Sequence, residues 1–205
     1  MYTLHHNPYS QHARRVVSLL EAAGLEYSLA PVAMDKGEHR SKKFQAINPN
    51  HQVPVLVDGD MTLCESNAIL RYLCNKHALN DWYPTDPKVR ASVDQWLDWN
   101  QCRLSPTVID IVLNKVFMGP DGDAQAAKRG EEKLPELMAI LEAGLQGRDY
   151  LAGADPSIAD LSVASNIFHL GFAKMAPTTT NIQGWFDRVS AIDGFRKSLP
   201  PKIAG

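Results

Sequence analysis

The sequence predicts a chain of two classes: a small α/β domain over residues 1–77, then an all-α helical domain over 89–205, with a linker at 78–88. Three observations predict it. In the first 77 residues, short runs of strand-forming residues alternate with an apolar stripe at helical spacing (Val16, Leu19, Leu20, Ala23). Ala78 to Lys88 contains Pro84 and Pro87 and follows neither period, so it breaks both patterns. Beyond it every apolar series has helical spacing. A chain of 205 residues can bury a core in each part.

Taken in order, Tyr2 to His6 reads as a short strand broken by Asn7-Pro8-Tyr9-Ser10. A helix from about Gln11 to Ala23 stops at Gly24. Leu25 to Ala33 reads as a second strand, with Pro31 favouring an edge position. Asp35 to Lys43 is polar and reads as a surface loop with a short helix running through Phe44. Val55 to Val57 and Met61 to Leu63 form a hairpin about Asp58-Gly59. The following helix is opened by Glu65-Ser66, with Ser66 as its N-cap, and ends near His77.

In the second part, Arg90 to about Met118 carries Val93, Trp96, Leu97, Leu104, Val108, Ile111 and Val112, with a kink expected at Pro106. Ala124 to Leu145 is a second long helix, although Pro135 conflicts with it. Ser157-Ile158-Ala159-Asp160 is a capping-box start to a nearly all-apolar, central helix. A further short helix is expected at about Asn181 to Ser190.

Composition excludes several classes. A hydrophobic content of 44% with 21% charged residues is that of a soluble globular chain. A formal net charge of −2 offers no electrostatic case for nucleic acid or an anionic membrane. No apolar run approaches a membrane span, and Met1 to His6 has no signal-like apolar region. Cys64, Cys74 and Cys102 lack Cys-x-x-Cys spacing, which argues against a disulfide framework or zinc site and for a reducing cytoplasm. The three are expected to pack as small apolar side chains. His5 and His6 are adjacent in a strand and face opposite ways, so they cannot chelate one metal. No metal is expected.

The stretch from Asn48 to Ser66 carries the clearest binding signal. A cis Val53-Pro54 bond would turn the Val53 N–H and C=O away from the sheet, free to pair with an extended peptide. Glu65-Ser66 then offers a charge and a helix start, whose unpaired N–H groups suit a carboxylate. An ordinary capped hairpin-helix unit accounts for the same residues.

These segments, in this order, resemble the glutathione transferase superfamily over essentially the whole chain, and its serine-type phi and theta classes most. The resemblance rests on Asn7-Pro8-Tyr9-Ser10 with Arg14, Gly37-Glu38-His39-Arg40, Asn48-Pro49, Gln52-Val53-Pro54, Glu65-Ser66-Asn67-Ala68-Ile69, Leu97-Asp98-Trp99 through Asn114-Lys115-Val116, and Ser157-Ile158-Ala159-Asp160. It implies a thioredoxin-like first domain, an all-α second domain and a cytoplasmic homodimer using glutathione as co-substrate on a small apolar electrophile. His6 stands where tyrosine-type classes carry tyrosine, and no cysteine is near Ser10, which disfavours those chemistries.

By the same resemblance, Ser10 donates a hydrogen bond to the glutathione sulfur; a plain N-cap is its other use. His39, Arg40 and Gln52 would hold the glycyl carboxylate and main chain. Val53 and Pro54 would form the peptide rail, with Glu65 on the γ-glutamyl ammonium and Ser66 on its carboxylate. Tyr9 and His12 are alternative donors or walls of the second-substrate pocket, together with the tail Leu199 to Lys202. Arg103 either reaches a partner subunit's glutathione or is simply solvated. Dehalogenase, isomerase or peroxidase activity on the same fold, or a non-catalytic binding protein, are the alternatives.

Overall fold

The structure, a computed structural model, describes residues 1–201. The chain divides into two compact units, Met1–Leu79 joined by the segment from Ala191, and Asn80–Ser190.

The first unit runs β1 (Tyr2–His6), α1 (Gln11–Ala22), β2 (Tyr27–Pro31), a 3₁₀ turn (Glu38–Arg40), α2 (Lys42–Gln45), β3 (Val55–Asp58), β4 (Met61–Leu63) and α3 (Ser66–Lys76). The sheet order is β2-β1-β3-β4. β1 and β2 are parallel, His6 opposite Pro31, while β3 runs antiparallel to β1 with Val55 opposite His5. β4 is antiparallel to β3, with Leu63 opposite Leu56. Pro31 therefore sits at the end of an edge strand, where its missing N–H breaks no ladder. Alternation in β1 buries Tyr2, Leu4 and His6 on one face. On the opposite face His5 meets the ring of Phe44 from α2, edge to face at 6.1 Å. Leu4, Val16, Leu19, Leu20, Leu56, Ile69, Leu70 and Leu73 are fully buried.

The sequence expectation gave every residue after 88 to the helical domain, but the last short helix, α9 (Asp193–Lys197), packs on α1 of the first unit. The reason is local. Gly194 lies so close that a Cβ there would stand 2.5 Å from the Ser18 carbonyl oxygen and the Ala22 nitrogen. Ser18 Oγ then donates to Ser198 Oγ at 2.8 Å. Lys202, the last residue of the expected pocket tail, lies outside the described residues.

The second unit contains α4 (Pro87–Trp99), α5 (Ser105–Val112), α6 (Ala124–Gly144), α7 (Ile158–Leu170) and α8 (Thr180–Ala191). α4 and α5 form one helical run, widened into π turns at Asn100–Leu104 and Leu113–Phe117. The first π turn precedes Pro106, so the missing proline N–H is absorbed by an extra residue in the turn. Pro135 leaves α6 unbroken: it is exposed, and the carbonyl it deprives, at Glu131, lies one turn away on the same outward face. Cys74 is buried and the half-buried Cys64 packs against the Val32, Phe44, Val53 and Val55 cluster, both as expected, whereas Cys102 is exposed.

α7 is central, and all its residues but Phe168 are buried. Its start is the predicted capping box, with Ser157 N–H donating to Asp160 Oδ2 at 2.8 Å. Asp160 does more than cap. Its carboxylate also accepts from Leu151 N–H at 2.9 Å, Ser157 Oγ at 2.8 Å and Trp185 Nε1 at 2.8 Å. Burial pushes this carboxyl up, against four hydrogen bonds that favour its charge. Asp160→Asn keeps the shape but turns one acceptor into a donor facing donors. We expect a loss of about 3 kcal/mol, hence a Tm lower by roughly 6–12 °C in a calorimetric scan.

Candidate active site

The strand directions place the predicted loops at one edge. β1 and β2 end there, at residues 6 and 31; β3 begins there, at 55; and β4 ends there, at 63. The loops at 7–10, 32–41, 48–54 and 64–66 are thus neighbours in space while far apart in sequence. Cross-loop hydrogen bonds support this edge: Asn7 Nδ2 donates to the Val32 carbonyl at 3.1 Å, and Val32 N–H to the His6 carbonyl at 2.8 Å.

Ser10 occupies the N-cap of α1, and its Oγ accepts from Ala13 N–H at 3.2 Å. A hydroxyl can accept and donate together, and this proton meets no acceptor among the described residues. Both uses read from the sequence are therefore compatible. Tyr9 and His12 flank it, both half-buried, with Tyr9 N–H on Asn7 Oδ1 at 3.0 Å.

The Val53-Pro54 bond is cis. Pro54 and Val53 are buried, and Val53 joins Val32, Phe44 and Val55 in a small core. Its N–H and C=O enter no hydrogen bond among the described residues, so they form an unused strand edge. Beside it, Asn48 Nδ2 holds the Gln52 carbonyl at 2.8 Å, leaving the exposed Gln52 side chain outside the loop.

At the start of α3 the structure corrects the sequence reading. Ser66 is the first helical residue rather than the N-cap; Glu65 holds that place with φ 66° and makes no capping bond. The left-handed backbone at Glu65 ends the extended chain abruptly, so the helix starts one residue early. The Ser66 N–H belongs to the open first turn, and the exposed Glu65 carboxylate accepts no hydrogen bond among the described residues.

Two residues that the sequence reading missed tie these helix starts together. Arg15, fully buried in α1, donates from Nη1 to Asn67 Oδ1 in α3 at 3.2 Å. Burial pulls the Arg14 and Arg15 guanidinium groups down to about 9, still cationic at neutral pH. The signal for Arg15 was its place one turn before Leu19 on the buried face of α1. His39 and the exposed Arg40 sit in the 3₁₀ turn, half a loop from β2. Exposed Arg103 belongs to the first π turn of the second unit.

Comparison with known proteins fits this geometry. The family model "Glutathione S-transferase, N-terminal domain" matches residues 1–75, and "Glutathione S-transferase, C-terminal domain" matches residues 104–193. The chain belongs to the glutathione S-transferase family. It is 35% identical to Glutathione S-transferase F10 of Arabidopsis thaliana over 187 residues, covering 87% of this chain and 86% of the relative. It is 32% identical to Glutathione S-transferase theta-1 of Mus musculus, covering 90% and 80% of the two. The crystal structure of glutathione transferase F2 from Populus trichocarpa superposes with a TM-score of 0.85 at 31% identity, covering 97% of each chain. This transferase is thus of the serine type, with a thioredoxin-like first unit and a helical second one.

Three histidines in the transferase's first unit sense pH in the same direction. Burial lowers the pKa of His5, His6 and His39, and the Arg40 and His51 charges add to the effect at His39. The unfolded chain takes up protons near the ordinary value of 6.5, whereas the fold resists until lower pH. Stability is therefore fully present above that value and falls as pH drops below it. We expect Tm to decrease between about pH 7.5 and about pH 5.5, and His6→Asn to flatten the decrease. A Tm that rises on acidification would contradict this sign.

Proposed function

We propose that the protein is a cytoplasmic, homodimeric glutathione transferase that activates glutathione as a thiolate and joins it to a small apolar electrophile, as in detoxification. The observation that carries the reading is the convergence of four loops at one sheet edge, with an unused strand edge at Val53 between two open helix starts. The tripeptide pairs its cysteinyl main chain with Val53, presented by Pro54. Its glycyl carboxylate lies toward His39, Arg40 and Gln52. Its γ-glutamyl end takes Glu65 on the ammonium, with Ser66 and the start of α3 on the carboxylate. Tyr9, His12 and Arg103 are assigned to the second substrate. No metal enters the reaction.

Ser10 is the catalytic residue. A free thiol has a pKa near 8.5, so only a few per cent is ionised at neutral pH. The Ser10 hydroxyl donates to the sulfur while the N-terminus of α1 faces it; a shift of about two units corresponds to roughly 2.7 kcal/mol. The thiolate then displaces a leaving group or adds to an electrophilic carbon, forming the S–C bond, and the thiol proton leaves to solvent. Ser10→Ala should leave glutathione affinity similar, lower kcat near neutral pH by about ten- to a hundredfold, and lose less as pH rises. The absorbance of the bound thiolate, followed across pH in both proteins, tests it. An unchanged titration midpoint would reduce Ser10 to a helix cap and turn attention to Tyr9 or His12.

The helix opened by the Glu65-Ser66 cradle is, by family resemblance, a subunit contact. Light scattering at micromolar concentration should therefore give twice the 22.7 kDa chain mass. A single-chain mass would remove the dimer from this reading.

A further inference from the structure

We infer that His51 is a positioning residue that locks the glycyl end of the glutathione site by tying the His39 turn to the Gln52–Val53 rail. The inference rests on the glutathione reading above and assigns a role to a residue outside its ligand set.

Three observations carry it. First, His51 Nδ1 lies 3.1 Å from the His39 carbonyl oxygen. A carbonyl only accepts, so Nδ1 carries the proton and donates, which fixes the ring's orientation. Second, this is the one hydrogen bond among the described residues that joins the 38–40 turn to the 48–52 loop. Each segment is otherwise braced internally. The turn is held by Glu38 Oε2 on Ala33 N–H at 2.8 Å and by Gln45 Nε2 on the Arg40 carbonyl at 3.2 Å. The loop is held by Asn50 N–H on Asn48 Oδ1 at 3.0 Å and by Asn48 Nδ2 on the Gln52 carbonyl at 2.8 Å. Third, His51 adopts φ 58°, a left-handed conformation that glycine takes freely and that histidine, like asparagine and aspartate, takes more readily than most residues with a side chain. A histidine there, where glycine would turn the chain at no cost, puts an imidazole donor at this point of the loop.

Without the tie, His39 and Arg40 depend on their own turn to face the rail, and the ordering must be done when glutathione binds. Affinity then suffers, while chemistry at the sulfur, across the site at Ser10, does not.

The backbone conformation supplies a clean pair of variants. His51→Gly accepts the left-handed backbone and deletes the donor. His51→Asn also tolerates that backbone, and its Nδ2 stands the same number of bonds from the main chain as the imidazole Nδ1. With an aryl chloride as electrophile, His51→Gly should raise the KM for glutathione about five- to twentyfold at constant kcat, and Kd by calorimetry in parallel. Tm should stay within about 4 °C of the parent. His51→Asn should return KM to within about threefold of the parent. An unchanged KM in His51→Gly would overturn the inference. So would a raised KM that His51→Asn fails to rescue, because the hydrogen bond would then not be the cause. If the parent protein itself shows no saturable glutathione binding, the functional reading fails and this inference falls with it; that result differs from either of the others.

Discussion

The hydrogen bond between Arg15 and Asn67 is the constraint on which the rest of the site depends. It joins the second turn of α1 to the first turn of α3, and so fixes the two open helix starts relative to each other. Arg15 has no exposed surface, and desolvation is the largest influence on its guanidinium, followed by the neighbouring Arg14 charge, with Glu65 attracting it. A buried charge whose geometry is not met would cost the fold several kcal/mol. The position of α3 is thus coupled to the position of α1, and neither start can drift without exposing that cost. Burial of Ile69, Leu70 and Leu73, each contributing about 1.5–3 kcal/mol, seats α3 from its other side.

Two of the residues placed at the sheet edge, His51 and Glu65, have left-handed backbone with φ 58° and 66°. Each conformation costs about 1–3 kcal/mol for a residue with a side chain. A glycine at either place would relieve that cost, so local stability does not explain the choice. At Glu65 the conformation sets Ser66 in the open first turn of α3 and leaves the exposed carboxylate without a hydrogen bond among the described residues; at His51 it brings the ring to the carbonyl of His39. In both places the side chain does what glycine cannot. The strain is held by what surrounds it, namely the α3 core on one side and the Val32, Phe44, Val53 and Val55 cluster on the other.

Much of this was legible in the sequence because it rests on local rules. The period of Val16, Leu19 and Leu20, the capping box at Ser157, the hairpin about Gly59 and the proline of a cis bond each announce themselves within a few residues. What was not legible rests on conformation or on distance. Nothing in Glu65-Ser66 reveals that the glutamate takes a left-handed backbone, so the helix start was placed one residue late. The return of α9 to α1 depends on the missing Cβ of Gly194, and a glycine in a polar tail gives no sign of its partner. Pro106 announces a disturbance of the helix but not that it takes the form of a π turn, and an exposed face makes Pro135 tolerable. His51 looked like one more polar loop residue because its meaning lies in a carbonyl twelve positions away.

The start of α1 also departs from what stability alone would select. A helix N-terminus carries partial positive charge, so cations in its first two turns are unfavourable, and carboxylates are the usual occupants. Here the first turn has no acidic residue, and Arg14 and Arg15 follow it, both buried. Burial lowers both guanidinium groups to about 9, which records how much the fold resists their charge. Buried positive charge in the second turn of the helix is costly in the empty protein and becomes favourable where an anion lies within reach of its field. A neutral thiol gains nothing from that field, whereas a thiolate does. Under the proposed function, that field adds to the stabilisation that the Ser10 hydroxyl gives a bound thiolate, while Ser10 also directs the sulfur. The serine hydroxyl is suited to that task because capping α1 uses its lone pair and not its proton.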